Sequence, residues 1–266
     1  MSEKSFPITI CHIKISSSND NLESGMIVLL TDFGPGEYVG VMKGVIYSVN
    51  PSATIVDLCH DISPQNIIEA SWILKNNYRY FPDGSVFCCV VDPGVGSERK
   101  AIAGKTKRSY FVAPDNGLLW ETLNEQDIIE IRELAVPKNA SRTFHGRDLF
   151  AKAAAEIDLG GFERLGQKIE TIEKFQFHLK GREGIVVRID RFGNIITNIT
   201  SSHKETYSVE TADNKYQMNF HPFYDAAAEN ELFLIEGSCN TLEISLKNDN
   251  ANKKLNLKPG TKMKII

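Results

Sequence analysis

Four short stretches place reactive side chains where apolar runs give way to turns. In VVDPGVGSER the run ends at Asp92, Gly94 and Gly96 follow, and Arg99 stands seven positions after the acid. In LLTDFG the acid is Asp32, in TFHGRDLF a histidine, His145, precedes Gly146, and in DRFGNIITNI Asp190, Phe192 and Asn194 surround Gly193. A carboxylate is a bidentate acceptor, suited to a pair of sugar hydroxyls or to a water molecule. A guanidinium can hold a carboxylate in a fixed fork, and an imidazole exchanges protons near neutral pH. Phe192 offers a stacking face, and Asn194 a donor and an acceptor, for a flat heteroaromatic base. Each stretch has a structural alternative. Asp32 could cap the next helix, Asp92 and Arg99 could pin a turn, His145 could be a satisfied loop residue, and Gly193 could serve a tight β-turn. Arg147 and Asp148 read as a local pair at a helix start, where the acid suits the helix dipole.

The elements around these residues decide where they meet. MIVLLTDFG, ATIVDLCHDI and GSVFCCVVDPGVG read as buried strands, with helices over YVGVMKGVIYSVNP and SPQNIIEASWILKNNYRYFP between them. Ser63 is expected as the N-cap of the second helix, with Pro64 in its first position. A β-α-β-α-β order implies a parallel or mixed sheet whose ligands sit beyond the carboxyl ends of the strands, where Asp32, Asp92 and His60 fall. KAIAGKTKRSYFVAPDNG adds a hairpin-like pair of strands, and GRDLFAKAAAEIDLGG a helix closed by Gly160 and Gly161. From Gly184 the pattern becomes short strands separated by turns.

The expected fold is therefore an α/β N-terminal domain, with a mixed, mostly parallel sheet flanked by helices, plus a smaller all-β C-terminal barrel or sandwich. The α/β domain spans 25–175 and the β-rich domain 184–266, with the boundary around 170–183. Residues 1–24 read as a mobile extension or a peripheral strand.

Composition narrows the function classes. Hydrophobic residues make up 42% of the 266 and charged residues 24%, with a net charge of −4. That composition suits a globular chain and supplies no basic field for nucleic acid. No apolar stretch is long enough to span a membrane. The five cysteines include no CxxC, and Cys88 and Cys89 lie in an apolar run, which favours free buried thiols and a cytoplasmic location. No metal-ligand spacing, dinucleotide or phosphate-loop motif, or GxSxG elbow occurs.

Taken together and in order, LLTDFG, YVGVMKGVIYSVNP, IVDLCHDISP, YFPDGSVFCCVVDPGVGSER, VAPDNGLL, TFHGRDLFAKAAA and IDRFGNIITNI resemble the S-adenosylmethionine hydroxide adenosyltransferase family. These hydrolases are similar to the fluorinases and chlorinases. The resemblance implies hydrolysis of S-adenosyl-L-methionine to adenosine and L-methionine by water or hydroxide attack on the ribose C5′, without a cofactor or metal. It implies that Asp92, Arg99 and His145 hold the attacking water and that Asp32 binds the ribose hydroxyls. Asp190 would meet the methionine ammonium, Asn194, in the turn with Phe192, the nucleoside, and Tyr224 the adenine ring. Ser238 matches a serine near the methionine carboxylate, but Cys239 follows where fluorinases carry an arginine. Asn250 and Ala251 would offer backbone contacts to the base. Halogenating relatives resemble this chain less at the nucleophile: a tyrosine stands in place of Asp92 and a Tyr-Ser pair in place of His145-Gly146. The family also implies a homotrimer with each site between two subunits. The alternatives to weigh are a halogenase forming a 5′-halo nucleoside and a non-catalytic S-adenosylmethionine or nucleoside binder.

Overall fold

The computed structural model describes residues 25–266, and the expectation for residues 1–24 lies outside them. The N-terminal domain runs β1 (Ile27–Thr31), α1 (Glu37–Val49), β2 (Ile55–Cys59), α2 (Ile67–Asn77), β3 (Val86–Val90), β4 (Ala101–Thr106), β5 (Tyr110–Pro114), α3 (Trp120–Leu123), β6 (Ile128–Glu133), α4 (Ala151–Asp158) and β7 (Gln167–Lys168). Its seven-stranded sheet has the order β2-β1-β3-β5-β4-β6-β7. Strands β2, β1, β3 and β5 run parallel, and β4, β6 and β7 complete it antiparallel.

The apolar runs are continuous because both sheet faces are covered. Ile27, Leu29, Val86 and Cys88 pack with Met42 and Ile46 of α1 and Ala154 of α4. The alternate residues Val28, Leu30, Phe87 and Cys89 pack with Ala70 and Leu74 of α2. Register sets the site: Thr31 pairs with Val90 and Leu30 with Cys59, so Asp32, His60 and Asp92 leave the sheet at one edge.

The C-terminal domain comprises β8 (Glu183–Ile189), β9 (Ile195–Thr200), β10 (Thr206–Glu210), β11 (Lys215–Asn219), β12 (Leu232–Glu236), β13 (Thr241–Leu246), α5 (Ala251–Leu255) and β14 (Lys262–Ile265). Its strand order is β11-β10-β14-β8-β9-β13-β12, with antiparallel ladders. A bridge between Phe220 and Leu234 brings the two ends together, so the sheet curls into a nearly closed barrel around Val186, Ile195, Tyr207, Leu234 and Ile244. Helix α2 ties the domains: Trp72 packs on Ile185, Val187 and Ile196, while the buried Glu69 lies 3.2 Å from Arg188 Nε. No helix among the described residues is long and apolar enough to cross a membrane.

Two local expectations are corrected. Helix α2 does not start at Ser63-Pro64; its N-cap is Asn66, whose side chain accepts from Glu69 N. Gln65 adopts φ 64, a left-handed turn that breaks any earlier helix, and its N–H is directed to Asp32. The helix expected from Gly146 opens instead with a π-turn over Gly146–Phe150 before α4 begins. Such turns are often found at functional sites, and this one follows His145.

Candidate functional site

Asp92 sits at the mouth of β3, where a short loop doubles back. Val95 N and Ser97 N donate to the carbonyls of Asp92 and Gly94. Gly96 has φ +77, and a Cβ there would stand 2.3 Å from the Arg142 carbonyl, so the loop can press against the segment leading to His145 only with glycine at that position. From the other side, Asn116 Nδ2 donates to the Val91 carbonyl at 2.9 Å and steadies the strand end.

Arg99 then closes on Asp92. Its Nε donates to Asp92 Oδ1 at 2.9 Å and Oδ2 at 3.1 Å, and its Nη2 also donates to Oδ2. The same Nη2 lies 2.9 Å from His145 Nδ1. The Asp92 and Arg99 side chains are only 6% and 10% exposed, and the guanidinium rests on the Phe150 ring. A guanidinium has no lone pair to offer, so His145 Nδ1 must be the acceptor and the imidazole proton resides on Nε2. Burial, and then the charge of Arg99, hold His145 below the usual imidazole range, which keeps the ring neutral. The result is an ordered chain: an acid with one face tied to Arg99, and a histidine presenting an N–H.

Asp92 and His145 open onto one cavity of about 350 Å³, together with Asp32, Phe33, Tyr38 and Phe144. Arg99 is not part of this lining; it borders a separate cavity with Lys100 and Asp115, and so stands behind Asp92. Asp32 does not cap α1, whose N-cap is Gly36 with no side-chain bond. One oxygen of Asp32 accepts the Gln65 N–H at 2.7 Å, which leaves the other available to a ligand. Behind it, Thr31 Oγ1 accepts from Phe33 N and contacts His60 Nδ1 at 2.8 Å, and His60 Nε2 lies 3.0 Å from Asp57. His60 therefore supports the loop bearing Asp32 rather than facing the cavity. Phe33, Tyr38 and Phe144 meet edge to face or tilted at 5.1–5.8 Å and form an aromatic wall.

The residues expected from the second domain gather at a different cavity, of about 530 Å³, lined by Asp190, Phe192, Asn194 and Tyr224 with Leu246, Asn248 and Asp249. Asp190 organises its turn: Oδ1 accepts from Phe192 N and Asn194 N, and Oδ2 from Asn194 Nδ2, each at 2.9 Å. The structural alternative is thus present in the geometry, and Gly193 has φ +88 as a tight turn requires. The same turn pushes Phe192 outward to 76% exposure, beside a half-exposed Tyr224. Ser238, Asn250 and Ala251 do not line this cavity. Asn250 caps α5 through Lys253 N, and Ala251 is buried in the barrel core. Within the chain, the two groups of site residues occupy separate cavities on separate domains.

Some contributors escaped the sequence reading. Gln65, bonded to Asp32, falls in the stretch expected as helix, and Glu243, whose Oε2 accepts from the Tyr224 hydroxyl at 3.2 Å, was assigned no role. The signal for Gln65 was the Ser-Pro-Gln-Asn sequence, which can form a turn as readily as a cap. Arg147 pairs with Asp148 at 2.7 Å, and with Ser141 N this drives the acid down to about 2.

Comparison with known proteins covers both domains. Residues 27–166 match the SAM hydroxide adenosyltransferase N-terminal domain and residues 184–264 its C-terminal domain. A protein of Methanocaldococcus jannaschii named (R)-S-adenosyl-L-methionine hydrolase is 39% identical, with 91% of this chain and 95% of that one aligned. Its namesake from Thermus thermophilus is 34% identical over 90% and 99%. A Nocardia brasiliensis fluorinase is 28% identical over 69% of this chain and 74% of its own. The crystal structure of an uncharacterized conserved protein from Thermotoga maritima superposes with a TM-score of 0.83 at 36% identity, covering 91% of this chain and 100% of that one.

Proposed function

The chain belongs to the SAM hydroxide adenosyltransferase family, and on that premise we propose that it hydrolyses S-adenosyl-L-methionine to adenosine and L-methionine. The observation that carries this reading is the Asp92–Arg99–His145 chain at the wall of a cavity that also holds Asp32. Water sits between an acceptor, Asp92, and a donor, the Nε2–H of His145, which leaves a lone pair to attack C5′. The oxygen–carbon bond forms as the carbon–sulfur bond breaks. The bonding pair goes to sulfur, the sulfonium becomes a neutral thioether, and the water's proton passes to Asp92. His145 is a poor alternative base, since Nδ1 is engaged by Arg99 and protonation is disfavoured there.

Holding oxygen, carbon and sulfur in line supplies much of the acceleration. The aromatic wall suits a sulfonium, because ring faces attract cations. The leaving group is already activated by its positive charge, so the reaction requires no metal or other cofactor. Asp92 also distinguishes water from halide. Its remaining lone pair needs an O–H donor, and a bare halide has none.

The active unit in this reading is a homotrimer, with the Asp92 cavity of one subunit facing the Phe192 and Tyr224 surface of its neighbour. Two separate half-cavities and an exposed aromatic turn support it. Light scattering on the eluting protein tests the mass. A cytoplasmic location fits the fully buried free thiols of Cys88 and Cys89, with Cys88 raised to about 12 by burial.

Incubation of the purified protein with S-adenosyl-L-methionine, followed by chromatography of nucleosides and amino acids, tests the activity. Equimolar adenosine and methionine are expected from the parent and almost none from Asp92→Asn. Adenosine at the uncatalysed level, or equal rates for both proteins, refutes the reading.

A further inference from the structure

Asp32 meets its cavity from a strand end, and among the described residues the Gln65 N–H, at 2.7 Å, is the one hydrogen bond it accepts. That donor sits on an unfavourable piece of backbone. Ser63, Pro64, Gln65 and Asn66 form a β-turn, closed by Asn66 N donating to the Ser63 carbonyl at 3.0 Å. Pro64 suits the second position, but Gln65 holds φ 64 in the third, where glycine or asparagine is usual. A glutamine in that conformation is strained and persists only where its surroundings fix it. Pro64 and Gln65 both line the Asp32 cavity.

Glu69 does the fixing. It lies in the first turn of α2 and is 1% exposed. Its Oε2 accepts Ser63 N at 3.0 Å, and its own N–H donates to the Asn66 side chain at 3.1 Å. An acid at this position commonly reaches back to the N–H of the N-cap; here it reaches three residues further, to the first residue of the turn. One buried residue thus ties both ends of the turn and leaves the Gln65 N–H directed at Asp32. A buried carboxylate calls for a cation, and this one comes from the other domain. Arg188 Nε, on β8, lies 3.2 Å from Glu69 Oε1, where Trp72 of α2 packs on Ile185 and Val187 of the same strand. The contact is one of charge, since Nε makes no aligned hydrogen bond.

We propose that Glu69 is a positioning residue for Asp32, acting through the Ser63–Asn66 turn, with Arg188 as the counterion of its buried carboxylate. This inference rests on the S-adenosylmethionine reading given above, in which Asp32 binds the ribose hydroxyls. Glu69 touches no substrate. It holds the strained turn, the turn aims the Gln65 N–H, and that N–H occupies one oxygen of Asp32 so that the other faces the ligand. Through one arginine, the second domain helps to set the ribose acid of the first.

The test compares the parent, Glu69→Ala and Glu69→Gln on S-adenosyl-L-methionine and its 2′-deoxyribose analogue. In Glu69→Ala, KM for S-adenosyl-L-methionine should rise about three- to tenfold with kcat within about twofold, because a contact to the bound ribose is weakened. The 2′-deoxy analogue, which makes little use of Asp32, should lose under about twofold. Glu69→Gln can still accept Ser63 N through its amide oxygen while Arg188, 29% exposed, turns to water, so its KM should stay within about threefold of the parent. Adding Glu69→Ala to Asp32→Asn should cost nothing further, since the two act on one contact. Thermal melting checks folding. Ser63→Pro removes the donated N–H at an exposed residue that already precedes a proline, and should repeat the Glu69→Ala result without opening the core. Equal loss on both substrates, a loss carried by kcat, a glutamine variant as poor as alanine, additive losses with Asp32→Asn, or a parent-like Ser63→Pro overturns the proposal. Calorimetric titration with adenosine and 2′-deoxyadenosine separates this failure from that of hydrolysis. A parent whose preference for adenosine depends on Glu69, yet which releases no adenosine from S-adenosyl-L-methionine, refutes hydrolysis and leaves this inference standing. A parent that hydrolyses with a preference indifferent to Glu69 does the reverse.

Discussion

Replacing Arg99 by alanine removes the group that joins the acid to the histidine. The guanidinium makes a bidentate contact to Asp92 and a 2.9 Å contact to His145, with both ionic partners at most 10% exposed. Breaking a pair buried to this degree destabilises a protein by about 3–5 kcal/mol, a large share of the 5–15 kcal/mol typical of a folded domain. At the transition state the loss of a positioned Asp92 and of the His145 orientation should amount to about 3–4 kcal/mol, or about 10²–10³ in kcat/KM. The sign of the pH effect follows from charge. The Arg99 charge helps to hold His145 below its usual range, so without it the imidazole protonates more readily and the acid limb of the rate profile moves to higher pH in Arg99→Ala. Adenosine release measured by chromatography across pH, with and without added guanidinium, reads all of this. Partial rescue by guanidinium is expected, because alanine leaves the space open. A variant within about threefold of the parent, or an inactive but fully folded one with an unshifted profile and no rescue, refutes the reasoning.

Four further outcomes can be checked with the same assay and with melting curves. The parent's rate should hold through neutral pH and fall only below the ordinary imidazole value of 6.5, because His145 is held low and its protonation sets Nδ1–H against the guanidinium; His145→Gln should remove that limb from the profile. Asp32→Asn should raise KM about tenfold with little change in kcat, and a 2′-deoxyribose substrate should lose the same factor on the parent but not on the variant. Phe192→Ser should leave stability within about 0.5 kcal/mol, since the ring is 76% exposed, while raising KM or weakening the trimer seen by light scattering. Gly96→Ala should lower stability by about 1–3 kcal/mol and reduce kcat, because φ +77 and the Arg142 carbonyl leave no room for a methyl group.

The parallel strands were legible because a sheet covered on both faces demands unbroken apolar runs, and IVLLT and VFCCV supply them. Their polar ends located Asp32 and Asp92 by the same logic. Local turn chemistry was less legible. Ser63-Pro64 has every feature of a helix start, and what displaced the cap to Asn66 is a tertiary demand, the bond from Gln65 N to Asp32. The π-turn after His145 left no trace in the periodicity of GRDLFAKAAAEI. Glu243 was hidden by alternation. Thr241, Glu243 and Ser245 alternate with Leu242, Ile244 and Leu246, a pattern that normally sends the polar set to solvent. Here every residue of the strand is buried, because the turn carrying Tyr224 and Ala227 lies over the second face, on Glu243 and on Phe233 and Ile235 of the neighbouring β12. Spacing alone left the pairing of Asp92 with Arg99 open between a turn pin and a reactive pair. It is the contact of Arg99 with His145, 46 residues further on, that makes the pair part of a site.

The central claim is that water attacks C5′ beside Asp92, and isotope labelling tests it most directly. Hydrolysis of S-adenosyl-L-methionine in ¹⁸O-enriched water should place the label in the 5′-hydroxyl of adenosine, leave the methionine unlabelled, and yield none of this product with Asp92→Asn. Adenosine without the label, label appearing in the methionine instead, or cleavage to methylthioadenosine would contradict the account.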